Sequence, residues 1–341
     1  MAEHHHLLIF RFSSLGDVAM TVPVIKLLLQ QHSQLKVTFV STQFVQPLFN
    51  GIERLHFYSA DLKGRHKGLG GLFRLYRELK SLDRFDAIAD LHNVIRSKIL
   101  RRFFFASKPI AVIDKGRKEK KELTRHHNKK LRPLKSAFQR YADVFALLGF
   151  PIQLDKAGGI VKRHVTDFSK PKQKGYCMIG IAPFALHLEK MYPAEKMKEV
   201  IRLLNQHSAI KIFLFGGKND ATILAQWQQT FTNVECMAGK MAFEKELDLI
   251  AQLNLMVSMD SANMHFASLY GVPVISIWGG THPYLGFYGW GQSMENAIQV
   301  DLDCRPSSVF GNKPCPRGDL SCMNLISPVV IYEKVMLELN L

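Results

Sequence analysis

Met259-Asp260-Ser261-Ala262-Asn263-Met264-His265-Phe266-Ala267-Ser268-Leu269-Tyr270-Gly271-Val272-Pro273 is the stretch from which the fold of this chain is read. The apolar run that leads into it, residues 253–259, predicts a buried strand ending at Asp260-Ser261. A helix then opens with Ser261 and Asn263 near its start and His265 one turn in. Gly271-Val272-Pro273 closes that helix, and residues 274–278 predict the next strand. A strand, a short polar turn and a helix N-terminus make an anion site, because the unpaired N–H groups and the positive end of the helix dipole point the same way. An ordinary βαβ unit with a serine cap would read the same on this segment alone.

The same alternation extends outward over the whole chain. In the first half, residues 7–12, 36–40, 55–58, 87–91 and 109–113 read as strands, and 18–30, 72–82, 96–104 and 138–148 as helices, with a short helical piece at 44–49. After a weakly patterned stretch, 155–174, the second half restarts with strands at 177–181 and 210–215 and helices at 194–206, 221–230, 244–251 and 328–339. Repeated strand-then-helix spacing implies parallel sheets covered on both faces. The expected fold class is α/β: two doubly wound domains, 1–165 and 166–341, facing across a cleft, with the last helix packing back on the first domain. Ligands in such sheets bind beyond the carboxyl ends of the strands.

Composition bounds the rest. A chain of 341 residues with 47% hydrophobic and 22% charged residues is that of a soluble globular protein of two ordinary domains. No stretch approaches the roughly 20 apolar residues of a membrane-spanning helix. The apolar run at 7–10 is too short for the core of a secretion signal, so a cytoplasmic location is expected. Five cysteines argue against a disulfide framework. Cys304, Cys315 and Cys322 share a Pro/Gly-rich tail, but none forms a C-x-x-C pair, which favours free thiols over zinc. The net charge is +16, and residues 96–140 hold sixteen Lys/Arg against three acids, Asp114, Glu119 and Glu122. Such a field attracts a phosphorylated substrate, an anionic membrane or nucleic acid. The run 115–135 contains no Phe, Tyr or Trp to stack on bases, which counts against single-stranded nucleic acid.

Polar clusters recur at predicted strand ends. Ser13-Ser14-Leu15-Gly16-Asp17 follows the first strand. Asp17 there is either a helix N-cap or a general base, and position alone does not choose. The loop is neither a dinucleotide fingerprint nor a P-loop. Asp90-Leu91-His92-Asn93, followed by Arg96 and Lys98, ends another first-half strand. In the second half, Ala182-Pro183-Phe184 leads to His187, Glu189, Lys190 and Tyr192-Pro193, where a lysine could neutralise a leaving phosphate. Gly216-Gly217-Lys218-Asn219-Asp220 ends the next strand, where an acid either caps a helix or holds ribose hydroxyls.

Taken in order, Ser14-Leu15-Gly16-Asp17 with Pro23, Asp90-Leu91-x-x-x-x-Arg96-Ser97, and Asp260-Ser261-x-x-Met264-His265 with Gly271-Val272-Pro273 resemble the family 9 glycosyltransferases. These are the bacterial heptosyltransferases of lipopolysaccharide core assembly. The resemblance spans nearly the whole chain and implies the GT-B fold of two Rossmann-like domains. It implies Asp17 as catalytic base, and Lys190, Asp220, Asp260, Ser261, Ala262 and His265 as donor-binding residues. On the acceptor side it points to Ser14, Gly16, Asp90, Asn93, Arg96 and Lys98. Two positions depart from the family pattern: Ala262 stands where glycine is usual, and His92-Asn93 where Gln-Gly is usual. The three-cysteine tail is similar to that of the second heptosyltransferase type.

The activity implied is inverting, metal-independent transfer of a sugar from a nucleotide-sugar donor, ADP-heptose by resemblance, to a lipopolysaccharide core acceptor. No cofactor is expected, and no Asp-x-Asp metal cluster stands where the donor would sit. The implied partners are the donor, a phosphorylated glycolipid and the anionic inner face of the cytoplasmic membrane, with the enzyme peripheral to it. Two alternatives remain open from sequence: a nucleotide-sugar epimerase of the same architecture, and a non-enzymatic polyanion-binding protein.

Overall fold

Among the described residues every strand pairs in parallel with its neighbours. The computed structural model describes residues 5–105, 108–163 and 176–341, and within it the chain forms two compact units. One comprises Met1–Lys115 with Ala137–Gly159, the other Gly116–Ser136 with Ile160–Leu341. The domain boundary expected at 165/166 lies outside the described residues.

In chain order the elements are β1 (His5–Phe10), α1 (Leu15–Ala19), α2 (Thr21–Gln31), β2 (Leu35–Ser41), β3 (Leu55–Ser59), α3 (Gly68–Leu82), β4 (Ala87–Asp90), α4 (Ile95–Phe104), β5 (Ile110–Val112), α5 (Arg117–Leu123) and α6 (Ala137–Leu147). They continue with β6 (Cys177–Ala182), α7 (Ala194–Leu204), β7 (Ile210–Leu214), α8 (Ala221–Thr230), β8 (Val234–Cys236), α9 (Phe243–Ile250), β9 (Leu255–Met259), α10 (Ala262–Leu269), β10 (Val274–Ile277), β11 (Ala297–Ile298), α11 (Ser321–Asn324) and α12 (Pro328–Leu339). Short 3-10 turns fill several connections, among them Gln43–Phe49, where a helical piece is expected. The single helix expected at 18–30 is two, α1 and α2, with Met20 between them.

The first unit's sheet has the order β3-β2-β1-β4-β5 and the second unit's β11-β10-β9-β6-β7-β8, all parallel. Strand order therefore reverses between β1 and β4 in one sheet and between β6 and β9 in the other. At such a reversal the two loops leaving the carboxyl ends diverge to opposite faces and open a crevice. This places 11–14 beside 91–94 in the first unit, and 183–193 beside 260–261 in the second. Leu8, Phe10, Val40, Ile88 and Leu100 pack one face of the first sheet. Ile179, Ile212, Val257 and Ile275 build the second core.

Two assignments differ from the sequence reading. The last helix packs within the second unit, against α7 and strands β9 and β10, because Ile331 and Val335 join the core around Met197 and Val200. The basic stretch Gly116–Ser136, expected in the first domain, belongs to the second unit. Leu123 and Leu134 bury against Leu285, and Leu134 N–H donates to the Tyr284 carbonyl at 2.9 Å. Lys120 Nζ stands 4.0 Å from the centre of the Phe287 ring, and Lys129 Nζ donates to the carbonyls of Asp303 (2.7 Å) and Pro306 (3.2 Å). No helix among the described residues is long and apolar enough to cross a membrane.

Candidate active site

In the second unit the crevice between β6 and β9 brings Lys190 and Asp260 together. After β6 the chain makes a 3-10 turn, Leu188–Lys190, which places Lys190 Nζ 2.8 Å from Asp260 Oδ2. Thr281 Oγ1 donates to the same oxygen at 2.8 Å. Both ionised groups are largely buried, and each offsets the other's loss of hydration. Ser261, the N-cap of α10, is extended at φ −147° and gives its helix no side-chain cap. Its hydroxyl instead lies 3.1 Å from Ser258 Oγ. The first turn of α10 thus keeps its amides for another acceptor. Ala262 begins the helix half-buried, and His265 sits buried one turn in. Asn263 Oδ1, buried in this turn, has no hydrogen-bond partner among the described residues.

The Lys190 loop is held from behind. Glu189 carbonyl accepts from Gly280 N–H at 2.7 Å. Arg305, 3% exposed, spreads its guanidinium over the carbonyls of Gly279 (2.6 Å), Val300 (2.6 Å) and Thr281 (3.0 Å) and over Gln299 Oε1 (3.0 Å). Burial lowers the pKa of this guanidinium, which the fixed carbonyl dipoles counter by direct hydrogen bonding. Neither Arg305 nor Thr281 was singled out by sequence, since no local spacing links them to Asp260. Asp220 lies at the end of β7, next to β6. Its Oδ2 accepts from Gly217 N–H at 2.8 Å and closes the Gly-Gly turn at the start of α8. A Cβ at Gly216 would stand 2.8 Å from Leu224 Cδ1 and 3.0 Å from Asp220 Cβ, so a larger residue there would press on both side chains.

In the first unit Asp17 and Ser14 meet at the start of α1. Asp17 Oδ2 accepts from Ser14 Oγ at 2.7 Å and pairs with Arg11 Nη2 at 2.7 Å. Arg11 is buried, donates through Nη1 to the Leu91 carbonyl at 2.7 Å, and lies 5.9 Å from the Tyr141 ring centre. Burial alone would lower the Arg11 pKa; Tyr141, Asp17 and Asp90 outweigh it and raise it. A cation at the end of an apolar strand, six residues before an acid, is a signal that the sequence reading passed over. Gly16 lies half-buried inside α1.

His92 joins the two loops of this crevice. Its Nδ1 accepts from Phe12 N–H at 3.3 Å, which leaves Nε2 to carry the proton and donate to Ser13 Oγ at 3.4 Å. Burial, then Arg11 and Lys115, push its pKa down to about 3, so the ring is neutral near pH 7. Asp90 is fully buried. Oδ1 accepts from His92 N–H (2.9 Å) and Asn93 N–H (2.7 Å), and Oδ2 pairs with Arg101 Nη1 (2.9 Å). The structure therefore gives Asp90 the shaping of this turn, and with no surface exposed it offers no face to an acceptor. Asn93, at φ +46°, donates from its amide to the Ile113 carbonyl. Arg96 and Lys98 are exposed on the first turn of α4. Cations there oppose the helix dipole, an arrangement that an incoming anion would relieve.

All five cysteines are free thiols, and among the described residues no group of three or more His, Cys, Asp or Glu is placed to hold a metal ion.

Two parallel doubly wound units, each with its polar residues at the strand-order reversal, are the architecture of the GT-B glycosyltransferases. The glycosyl transferase family 9 structure from Veillonella parvula matches with a TM-score of 0.77 at 18% identity, covering 100% of this chain and 98% of that one. The Escherichia coli heptosyltransferase WaaC with ADP matches at 0.67 and 19%, covering 98% and 99%. The sequence model of glycosyltransferase family 9 (heptosyltransferase) fits residues 72–313. The chain belongs to this family and is a glycosyltransferase. It is 25% identical over 294 residues to the lipopolysaccharide core heptosyltransferase OpsX of Haemophilus influenzae, spanning 81% of this chain and 80% of that protein. Lipopolysaccharide heptosyltransferase 1 of E. coli is 24% identical over 322 residues, or 86% and 94% of the two chains.

Proposed function

We propose that this protein transfers heptose from ADP-heptose to a lipopolysaccharide core acceptor, with inversion at the anomeric carbon and without a metal ion. The observation that carries this reading is the Lys190–Asp260 pair at the uncapped N-terminus of α10. A nucleoside diphosphate on that helix tip would meet the first-turn amides of Ser261, Ala262 and Asn263 together with the Lys190 ammonium. These are donors for charge that grows on the leaving phosphate. Donor and acceptor are taken from the relatives: OpsX and heptosyltransferase 1 are named as lipopolysaccharide heptosyltransferases, and WaaC is described with ADP. Lys190 and the helix tip supply the positive charge that a metal would otherwise bring. Asp220 and His265 complete the donor set, on ribose and sugar-phosphate respectively.

On the acceptor side, Asp17 takes the proton of the acceptor hydroxyl as that oxygen bonds to the anomeric carbon. The bond from the anomeric carbon to the phosphate oxygen breaks, and ADP departs. Arg11 and Ser14 hold the carboxylate in place. Ser14, Gly16, Asn93, Arg96 and Lys98 line the acceptor's approach, with Asp90 acting through the turn it builds. The basic stretch Gly116–Ser136, with nine Lys/Arg against two acids, suits a peripheral position on an anionic membrane, where the glycolipid resides.

The test is Asp17→Asn. It should keep ADP affinity and lose turnover by about 10²–10⁴-fold, the usual reach of a general base. Near-normal turnover would remove Asp17 from this role. Nuclear magnetic resonance of the product's anomeric centre decides between inversion and retention.

A further inference from the structure

Beyond these assignments, Lys190 depends on a residue 121 positions away that nothing so far explains. Gly311 is buried, at φ +71°, in the irregular tail after β11. A Cβ there would stand 2.5 Å from Lys190 Cδ, with Cγ closer still. The aliphatic stem of the lysine lies across the face of this glycine, on the space a side chain would take. No other contact comes as near. The conflict falls on a flexible side chain and not on backbone, so the lysine is what would move. Displacing Cγ and Cδ lifts Nζ away from Asp260 Oδ2, now 2.8 Å distant.

The surrounding tail is built to fix this seat. Gly279 and Gly280 follow β10, and a Cβ on Gly279 would reach the Glu189 carbonyl at 2.6 Å. Ser307 N–H donates to the Gly280 carbonyl at 2.9 Å. Arg305 binds the carbonyls on either side, Gly279 and Thr281. One glycine pair thus grips the backbone of the lysine loop, while Gly311 receives its stem. We propose that Gly311 is a positioning residue for the donor site: it seats the Lys190 ammonium where the donor diphosphate arrives. The inference rests on the reading of Lys190 as a diphosphate ligand.

Gly318 provides the matched control. It has nearly the same backbone, φ +75°, yet a Cβ there meets nothing within 4 Å. Gly311→Ala and Gly318→Ala therefore both place a side chain at a similar positive φ, the first buried against Lys190 and the second in open space. ADP affinity is measured by calorimetry on the full chain. Gly311→Ala should weaken ADP about tenfold, the size of one charge-assisted hydrogen bond, while Gly318→Ala leaves it unchanged. In the Lys190→Ala background, Gly311→Ala should add nothing further. Acylation of Lys190, followed by mass spectrometry, should quicken in Gly311→Ala alone, since the ammonium leaves its partner.

If Lys190→Ala weakens ADP but Gly311→Ala matches Gly318→Ala, the seating inference is wrong and the donor-site reading stands. If Lys190→Ala itself leaves ADP affinity intact, both fall. Should Gly311→Ala fail to fold, the double variant with Lys190→Ala, freed of the obstructing stem, should fold; its failure too would overturn the inference.

Discussion

Replacing Arg305 with methionine should destabilise the second unit more than any surface change. The guanidinium satisfies three backbone carbonyls and one side-chain amide oxygen from a position 3% exposed. Hydrogen bonds to a charged group contribute about 1.5–3 kcal/mol each, and a carbonyl left buried and unpaired costs about 1–3 kcal/mol. These do not sum, because methionine removes the desolvated charge along with its bonds, and the loop can relax toward water. A net loss of about 4 kcal/mol follows. For a unit of about 200 residues that is a fall in Tm of about 10 °C. Urea unfolding followed by tryptophan fluorescence reads it cleanly, since Trp227, Trp278 and Trp290 all lie in the second unit. The midpoint should drop with the slope unchanged. Arg305→Lys should recover only part, because a point ammonium cannot span four acceptors. A loss below about 1 kcal/mol for methionine would refute the idea that these bonds hold the loop.

Three further outcomes follow from the same geometry. Burial and the nearby Arg305 lower His282 to about 4, below its unfolded value of about 6.5. The unfolded chain therefore binds the extra proton first, and stability that is complete above pH 6.5 drains away as pH falls toward 4. The loss is about 2 kcal/mol by pH 4.5, and His282→Asn should flatten that slope in the tryptophan signal. Sedimentation with vesicles of mixed neutral and anionic lipid should show binding that Arg125→Ser/Lys130→Ser/Arg132→Ser weakens about a hundredfold, at about 1 kcal/mol per exposed cation; equal loss on neutral vesicles would contradict a charge mechanism. Chelator should leave the transfer rate unchanged, and a rate lost to chelator and restored by magnesium would refute metal-free transfer.

Most strands were legible because they are buried on both faces and read as largely apolar runs, unbroken at 7–10 and interrupted only by Asn254 and Ser258 across 253–259. Those that escaped were short: β8 has three residues and β11 two, too few for any period to show. Helix α5 escaped for another reason. Its residues, Arg-Lys-Glu-Lys-Lys-Glu-Leu, are charged on every face, and only Lys120 and Leu123 are buried; its packing is decided by distant Leu285 and Phe287. At the candidate site, strand-end position marked Asp17, Asp90 and Asp260 alike. Nothing local separates Asp90, whose oxygens turn inward to Arg101 and two amides, from Asp260, which meets Lys190. That distinction arises from which loop the strand order sets alongside each carboxylate. Thr281, Arg305 and Gly311 were silent for the same reason, because their partners are set by the fold and lie far off in sequence.

The path of Gly116–Ser136 has a practical consequence for anyone dissecting the molecule. The polypeptide leaves the first unit after Lys115, contributes a tier to the second, returns at Ala137, and departs again after Gly159. No single cut liberates either half. A fragment begun at Ile160 would strip Leu285 and Phe287 of their covering and leave the carbonyls of Asp303 and Pro306 without their lysine. A soluble truncation would instead graft residues 116–136 through a linker onto the later segment, and splice 115 to 137 in the complementary piece.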